Sequence, residues 1–150
     1  MKALIIFDTK SGNTQQVAEL IADGINSVEG NETEVVNVKD FKPNEDKSYD
    51  LMLIGSPNHM GSHIKSIKKF IKNLSSSSVK AKSFAAFDTY MSKDFEKAVK
   101  KMEKQINEDI PNSKITLPGL SIKVGGMKGP IVDEDLSKCK KYGIKLAKKE

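Results

Sequence analysis

Thr9, Ser11, Asn13 and Thr14 place three hydroxyls and one carboxamide within six residues, with Gly12 among them. That donor set suits an anion. The segment follows an apolar run, Ala3 to Phe7, and beyond it Val17, Leu20, Ile21 and Ile25 recur at helical spacing. Backbone N–H groups at a helix start lack intrahelical partners and lie at the positive end of the dipole. A loop that opens a helix can therefore hold a phosphate without a cation, and Lys10 is not required. About five donors, each contributing roughly 1.5 to 3 kcal/mol to a charged acceptor, suffice for a monophosphate. The same residues allow a plainer role, in which Ser11 and Asn13 only cap the helix. The chain contains no G-x-x-x-x-G-K-[ST] and no G-x-G-x-x-G after a strand. Those absences argue against triphosphatase and dinucleotide sites and leave a mononucleotide.

Such a loop needs elements to position it. Residues 2–8, 32–38, 50–56, 81–87 and 120–124 read as strands. Helical patterns begin at Asn13 and run over 64–74, 95–110 and 133–149, while 41–49, with Pro43, reads as a loop. Gly24 and Gly30 are placed at the fraying end of the first helix. Leu51 to Ile54 is apolar at consecutive positions, as a strand covered on both faces requires. The pattern is β-α repeated five times. It predicts a single α/β domain: a three-layer sandwich, with an open five-stranded parallel sheet and helices on both faces. Ligands in such sheets sit beyond the carboxyl ends of the strands where the order reverses, which for the order 2-1-3-4-5 lies between strands one and three. Three segments should converge there: Thr9 to Thr14, Ser56 to Gly61 and Asp88 to Ser92. Gly125 to Pro130, beyond the fifth strand, reads as a flexible loop that either borders a ligand's outer edge or a partner or, more simply, forms a turn.

The string Thr9-Lys10-Ser11-Gly12-Asn13-Thr14, directly after an apolar first strand, resembles the phosphate loop of flavodoxins and flavodoxin-like domains of the short-chain type. Gly55-Ser56-Pro57-Asn58-His59-Met60-Gly61 is similar to that family's first isoalloxazine loop. The resemblance implies flavin mononucleotide (FMN) as cofactor. Thr9, Ser11, Gly12, Asn13 and Thr14 would bind the phosphate, Ser56, Pro57 and Asn58 the ribityl chain and ring edge, and His59, Met60 and Gly61 one flavin face. Asp88, Thr89, Tyr90 and Met91 would form the second flavin loop. Flat or polarizable side chains suit the ring faces, and Tyr90 is the foremost stacking candidate. Gly61 would either let a peptide reverse near flavin N5 or simply form a turn before the next helix.

The resemblance further implies an electron carrier between redox partner proteins. Two alternatives stay open: a flavin-dependent reductase of a small oxidant such as a quinone, and a flavin-free binding domain of the same fold. A phosphoacceptor signalling module shares the strand order, but the third strand ends in Gly55-Ser56-Pro57 with no aspartate to carry a phosphoryl group.

The formal net charge is +5, and all 25 basic residues are lysine. Without guanidinium forks, base-edge recognition of nucleic acid is disfavoured, and the charge points instead to partners with acidic surfaces. The family members it resembles are often acidic and carry tryptophan against the flavin, whereas this chain has no tryptophan and a pI near 9.1. The lone cysteine, Cys139, can form no internal disulfide and build no cysteine metal site, and it reads as a buried helix residue. No apolar run approaches the roughly 18 residues of a membrane span, and the N-terminus has no signal-peptide pattern. A cytoplasmic monomer is expected.

Overall fold

The computed structural model describes residues 1–149. The elements in chain order are β1 (Lys2–Phe7), α1 (Asn13–Asn26), β2 (Glu32–Asn37), β3 (Ser48–Pro57), α2 (Lys65–Leu74), β4 (Lys80–Tyr90), α3 (Lys97–Asp109), β5 (Leu120–Lys123) and α4 (Asp133–Lys149). The strands pair in parallel, as the alternation predicts, in the expected order β2-β1-β3-β4-β5. One β-α unit departs from the pattern. Between β2 and β3 the chain makes only a 3-10 turn, Val38–Asp40, before the loop through Pro43. Proline lacks the N–H a helix interior needs, and no helical apolar repeat precedes it.

Side chains alternate across the strands and feed two separate cores. Ala3, Ile5 and Phe7 of β1, with Leu51, Leu53 and Phe87, pack under α1 and α4. Leu4 and Ile6, with Met52, Ile54 and Phe84, pack under α2 and α3. Both sides of β1 and β3 are thus covered, which is why these strands read as unbroken apolar runs rather than alternating ones.

Gly24 does not lie at a fraying end. It is buried within α1, where that helix meets α4, and a Cβ there would stand 2.1 Å from the Lys140 carbonyl oxygen. A Cβ on Gly143 would stand equally close, 2.1 Å, to the carbonyl oxygen of Ile21. The two glycines let the helix backbones touch.

The central strands run further toward the ligand edge than their apolar cores suggest. β4 continues to Tyr90, so Asp88, Thr89 and Tyr90 are strand residues, in register with β3 at Ser56↔Asp88 and Pro57↔Thr89. The ladder continues past the hydrophobic core because backbone pairing is indifferent to side-chain polarity. Beyond it, the Asn58 N–H still donates to the Thr89 carbonyl oxygen at 2.8 Å.

Candidate binding cleft

The first loop begins at Asp8, which is buried at the end of β1. Its Oδ1 accepts from the Thr9 N–H at 2.7 Å and its Oδ2 from the Ser66 hydroxyl at 2.5 Å, so the carboxylate anchors the loop to the start of α2. Thr9 Oγ1 accepts from the Gly12 N–H at 2.9 Å. Gly12 sits at φ +90°, in the left-handed region, and turns the chain into α1. No side chain caps α1, and its first turn carries no acidic residue. The capping role open to Ser11 and Asn13 is therefore not the one they play. Ser11 donates across to the Met127 carbonyl oxygen at 2.8 Å. The helix-start amides keep their capacity for an external acceptor.

Thr14 is buried, and its hydroxyl pairs with that of Thr89 at 3.0 Å, linking the first turn of α1 to the end of β4. In the second segment, His59 and Ser62 exchange backbone hydrogen bonds of 2.7 and 3.1 Å. The two residues between them, Met60 at φ +53° and Gly61 at φ +80°, form a tight reverse turn that precedes α2 by several residues. Gly61 is therefore in a turn of its own. Met60 projects into solvent, 87% exposed.

The cleft between these loops is an open depression of about 150 Å³. Its walls include Thr9, Ser11, Asn13 and Thr14 from the first loop, Pro57, Asn58 and His59 from the second, and Thr89, Tyr90 and Met91 from the third. Convergence of the three segments, inferred from sheet topology, is thus observed. A larger cavity of about 730 Å³ lies along β2 and shares no residue with the three loops. The smaller cleft matters more, because the uncapped helix start and the strand ends meet there.

Some sequence-predicted residues support the cleft instead of lining it. Ser56 is fully buried, donating to the Pro57 carbonyl oxygen and accepting from the Ile64 N–H. Asp88 is also fully buried: its Oδ1 accepts from Ser121 Oγ at 2.6 Å and its Oδ2 from the Val99 N–H at 3.0 Å. From β4 it thus caps the first turn of α3. Burial pushes its carboxyl up to about 7, against the lowering effect of these two bonds, with Glu96 and Asp94 adding to the rise. Asp88, expected in the second flavin loop, is a strand residue whose side chain is spent inside the protein in this structural role. Gly12, Met60 and Gly61 do not line the cleft; they make the left-handed turns in the two loops that do.

His63 is a packing residue. Its Nε2 lies 2.7 Å from Gln105 Oε1, and the Gln105 amide nitrogen already donates to the Lys68 carbonyl oxygen and to Asp109. The imidazole must donate through Nε2, and burial, the largest influence, lowers its pKa. Cys139 is buried likewise, its thiol pushed up to about 12 by desolvation.

The flexible segment beyond β5, for which a simple turn is the plainer of two readings, is a fourth contributor. Residues 125–130 fold back over the first loop: Met127 supplies the acceptor for Ser11, and Gly129 lies against Asn13, where a Cβ would come within 2.5 Å of its Oδ1. Val124, Gly126 and Met127 complete the wall, with Lys10 and Ile64. The signal was present in the glycines of Gly125-Gly126-Met127-Lys128-Gly129, which allow such close approach.

Asn58, on the cleft wall, also carries a buried acceptor without a partner, its Oδ1. Hydroxyls, uncapped amides, an aromatic wall and an unpaired acceptor make a donor and acceptor set that fits a mononucleotide with a heterocyclic ring.

A doubly wound sheet with an uncapped helix start at its switch point is the architecture of mononucleotide-binding α/β proteins. The flavodoxin domain model matches residues 4–146, and the chain belongs to that family. A curated flavodoxin from Aquifex aeolicus is 36% identical over 73 residues, which cover 49% of this chain and 40% of that protein. An uncharacterized protein from Methanocaldococcus jannaschii is 35% identical over 82 residues, 54% of this chain and 51% of that one. The chain thus spans about half the length, or less, of these curated relatives. Among solved structures, a flavodoxin from the domain Archaea superposes with TM-score 0.80 at 29% identity, covering 99% of this chain and 98% of that one. Oxidised flavodoxin 1 from Bacillus cereus gives 0.77 at 27%, with the same coverage of 99% and 98%.

Proposed function

We propose that the cleft binds FMN and that the chain carries electrons between redox proteins. The observation that carries this reading is the uncapped start of α1, free of acidic side chains, opening beside the ends of β3 and β4. Amides of the first turn, with Thr9, Ser11 and Thr14, would hold the phosphate, and Lys10 adds a positive charge at the mouth. Pro57, Asn58, Thr89 and Tyr90 would receive the ribityl chain and ring. Tyr90 is nearly buried, its ring edge-on to Phe95 with centroids 5.5 Å apart, so its orientation is set before a ligand arrives. When bound, FMN supplies the redox chemistry, and the protein's part is to position it and set its surroundings.

The cleft mouth also suits a protein partner. Met60, Met91, Phe95 and Met127 are exposed, and each belongs to a loop around the cleft. Flexible, polarizable methionines favour adaptable docking. Lys10, Lys93 and Lys128 are exposed beside them and form no ion pair among the described residues, which favours acidic partner surfaces.

Fluorescence titration of FMN with the purified chain tests the assignment. Saturable quenching is expected, and its absence overturns it. Rapid quinone turnover by NAD(P)H, with no added reductase, would instead assign a reductase.

A further inference from the structure

The Asn58 carboxamide is held from one end only. Its main-chain N–H is fixed on Thr89, as described, and its side-chain Nδ2 donates to Asp94 Oδ2 at 2.7 Å. Asp94 is itself gripped by Lys97, whose ammonium lies 3.1 Å from Oδ1. The pairing with Lys97, and then the bond from Asn58, holds the Asp94 carboxyl below its ordinary range, so it remains an acceptor. A carboxylate can only accept, so it selects the amide's NH2 end and turns Oδ1 away from itself. That oxygen is the only buried side-chain nitrogen or oxygen among the described residues with no hydrogen-bond partner. Leaving such an atom unpaired is costly, and a ligand that supplies a donor recovers the cost.

We propose that Asn58 Oδ1 accepts a ring N–H of the bound flavin and that Asp94, held by Lys97, is the positioning residue that aims it. The inference rests on the FMN reading of this cleft. It assigns the side chain a polarity: an N–H is welcomed at this point and a bare lone pair is rejected. The isoalloxazine ring offers two candidates of that chemistry, N3–H in every redox state and N5–H once the ring has been reduced, by one electron or two, with protonation at N5. Asp94 reaches the ligand only through Asn58, so its effect should vanish once Asn58 is gone.

The test is a double-mutant cycle with Asn58→Ala, Asp94→Ala and the double variant. FMN and N3-methylated FMN are titrated into each, and the midpoint potential and thermal unfolding of each are measured. For an acceptor bond of ordinary strength, Asn58→Ala should weaken binding about tenfold, Asp94→Ala less, and the double variant no more than Asn58→Ala alone. If the donor is N3–H, the wild type discriminates about tenfold against the N3-methylated ligand and Asn58→Ala does not. If it is N5–H, oxidised affinity is unmoved, and a tenfold loss in the reduced state lowers the two-electron midpoint by about 30 mV. Both results support the assignment and identify the donor. Asn58→Ala binding both redox states as the wild type does, or losses that add in the double variant, would overturn it. Failure of the wild type to bind FMN overturns the cofactor assignment and this inference together. A wild type that binds FMN beside variants that bind it equally well removes this inference alone.

Discussion

Thr14 and Thr89 are separated by 75 positions in sequence, yet their hydroxyl oxygens lie 3.0 Å apart in a buried contact. One belongs to the first turn of α1 and the other to the end of β4. The bond fixes the distance between the candidate phosphate loop and the wall proposed to receive the ring. The two parts of a mononucleotide site are thereby held in one register.

Thr14→Val should weaken that link. It keeps the shape but leaves the Thr89 hydroxyl buried without its partner, at a cost of about 1 to 3 kcal/mol in stability. Urea denaturation reads the loss. FMN titration should show weaker binding than stability alone explains, because the variant loses both the pinned spacing of the two loops and a hydroxyl proposed to hold the phosphate.

Gly12→Ala isolates the backbone demand of the phosphate loop. A Cβ at Gly12 would meet nothing within 4 Å, so sterics with neighbours play no part. The cost comes from φ +90°, about 1 to 2 kcal/mol for an L-residue in the left-handed region. Thermal unfolding should show that loss, and FMN affinity should fall if relief of the strain moves the α1 amides.

Asp88 gives stability a pH dependence of definite sign. Its carboxyl is raised from an ordinary 3.8 to about 7 in the folded protein. Between those values the folded form keeps a proton that the unfolded chain releases. Stability from this group is therefore fully present below its unfolded pKa and is lost as pH rises through the folded one, at roughly 1.4 kcal/mol for each pH step between the two. His63, lowered by burial, works oppositely on the acid side. Comparing urea midpoints of the wild type and Asp88→Asn from pH 4 to 8 separates the two, and the variant should lack the decline toward pH 7.

Gly24→Ala should be strongly destabilising although alanine is the better helix former. The added methyl would stand 2.1 Å from the Lys140 carbonyl oxygen, which is backbone and cannot rotate aside. Parting α1 from α4 costs about 1 to 3 kcal/mol or more. A solvent-exposed control such as Gln16→Ala, on the same helix, should be neutral or slightly stabilising by comparison.

Electron exchange with an acidic redox protein should slow as ionic strength rises, because the exposed lysines at the mouth attract such a partner through a screened field. Stopped-flow rates between low and physiological salt check this. A rate that does not fall with salt would show that these lysines do not steer the encounter.

The layer structure was legible because it depends on local rules. Apolar runs of β1 and β3 imply strands buried on both faces, helical apolar repeats imply covering helices, and right-handed crossovers leave few sheet orders. The switch point then locates the ligand edge, so the meeting of Thr9–Thr14, Ser56–Gly61 and Asp88–Met91 follows from the chain alone. The 3-10 turn after β2 was less legible, since a weak helical signal and a loop signal differ little over so few residues.

Sequence by itself determined which segments meet, because strand direction and connection length decide where each chain end emerges. Only the tertiary structure decided what each side chain does there. Asp88 and Ser56 have the chemistry of ligand contacts, yet both are spent holding helix starts. Gly24 has the composition of a helix end, yet it serves a helix crossing. Asn58 shows the reason most directly: its free oxygen depends on a carboxylate 36 positions away, which depends in turn on Lys97. Hydrogen-bond partners are chosen by proximity in space, and periodicity along the chain carries no record of them.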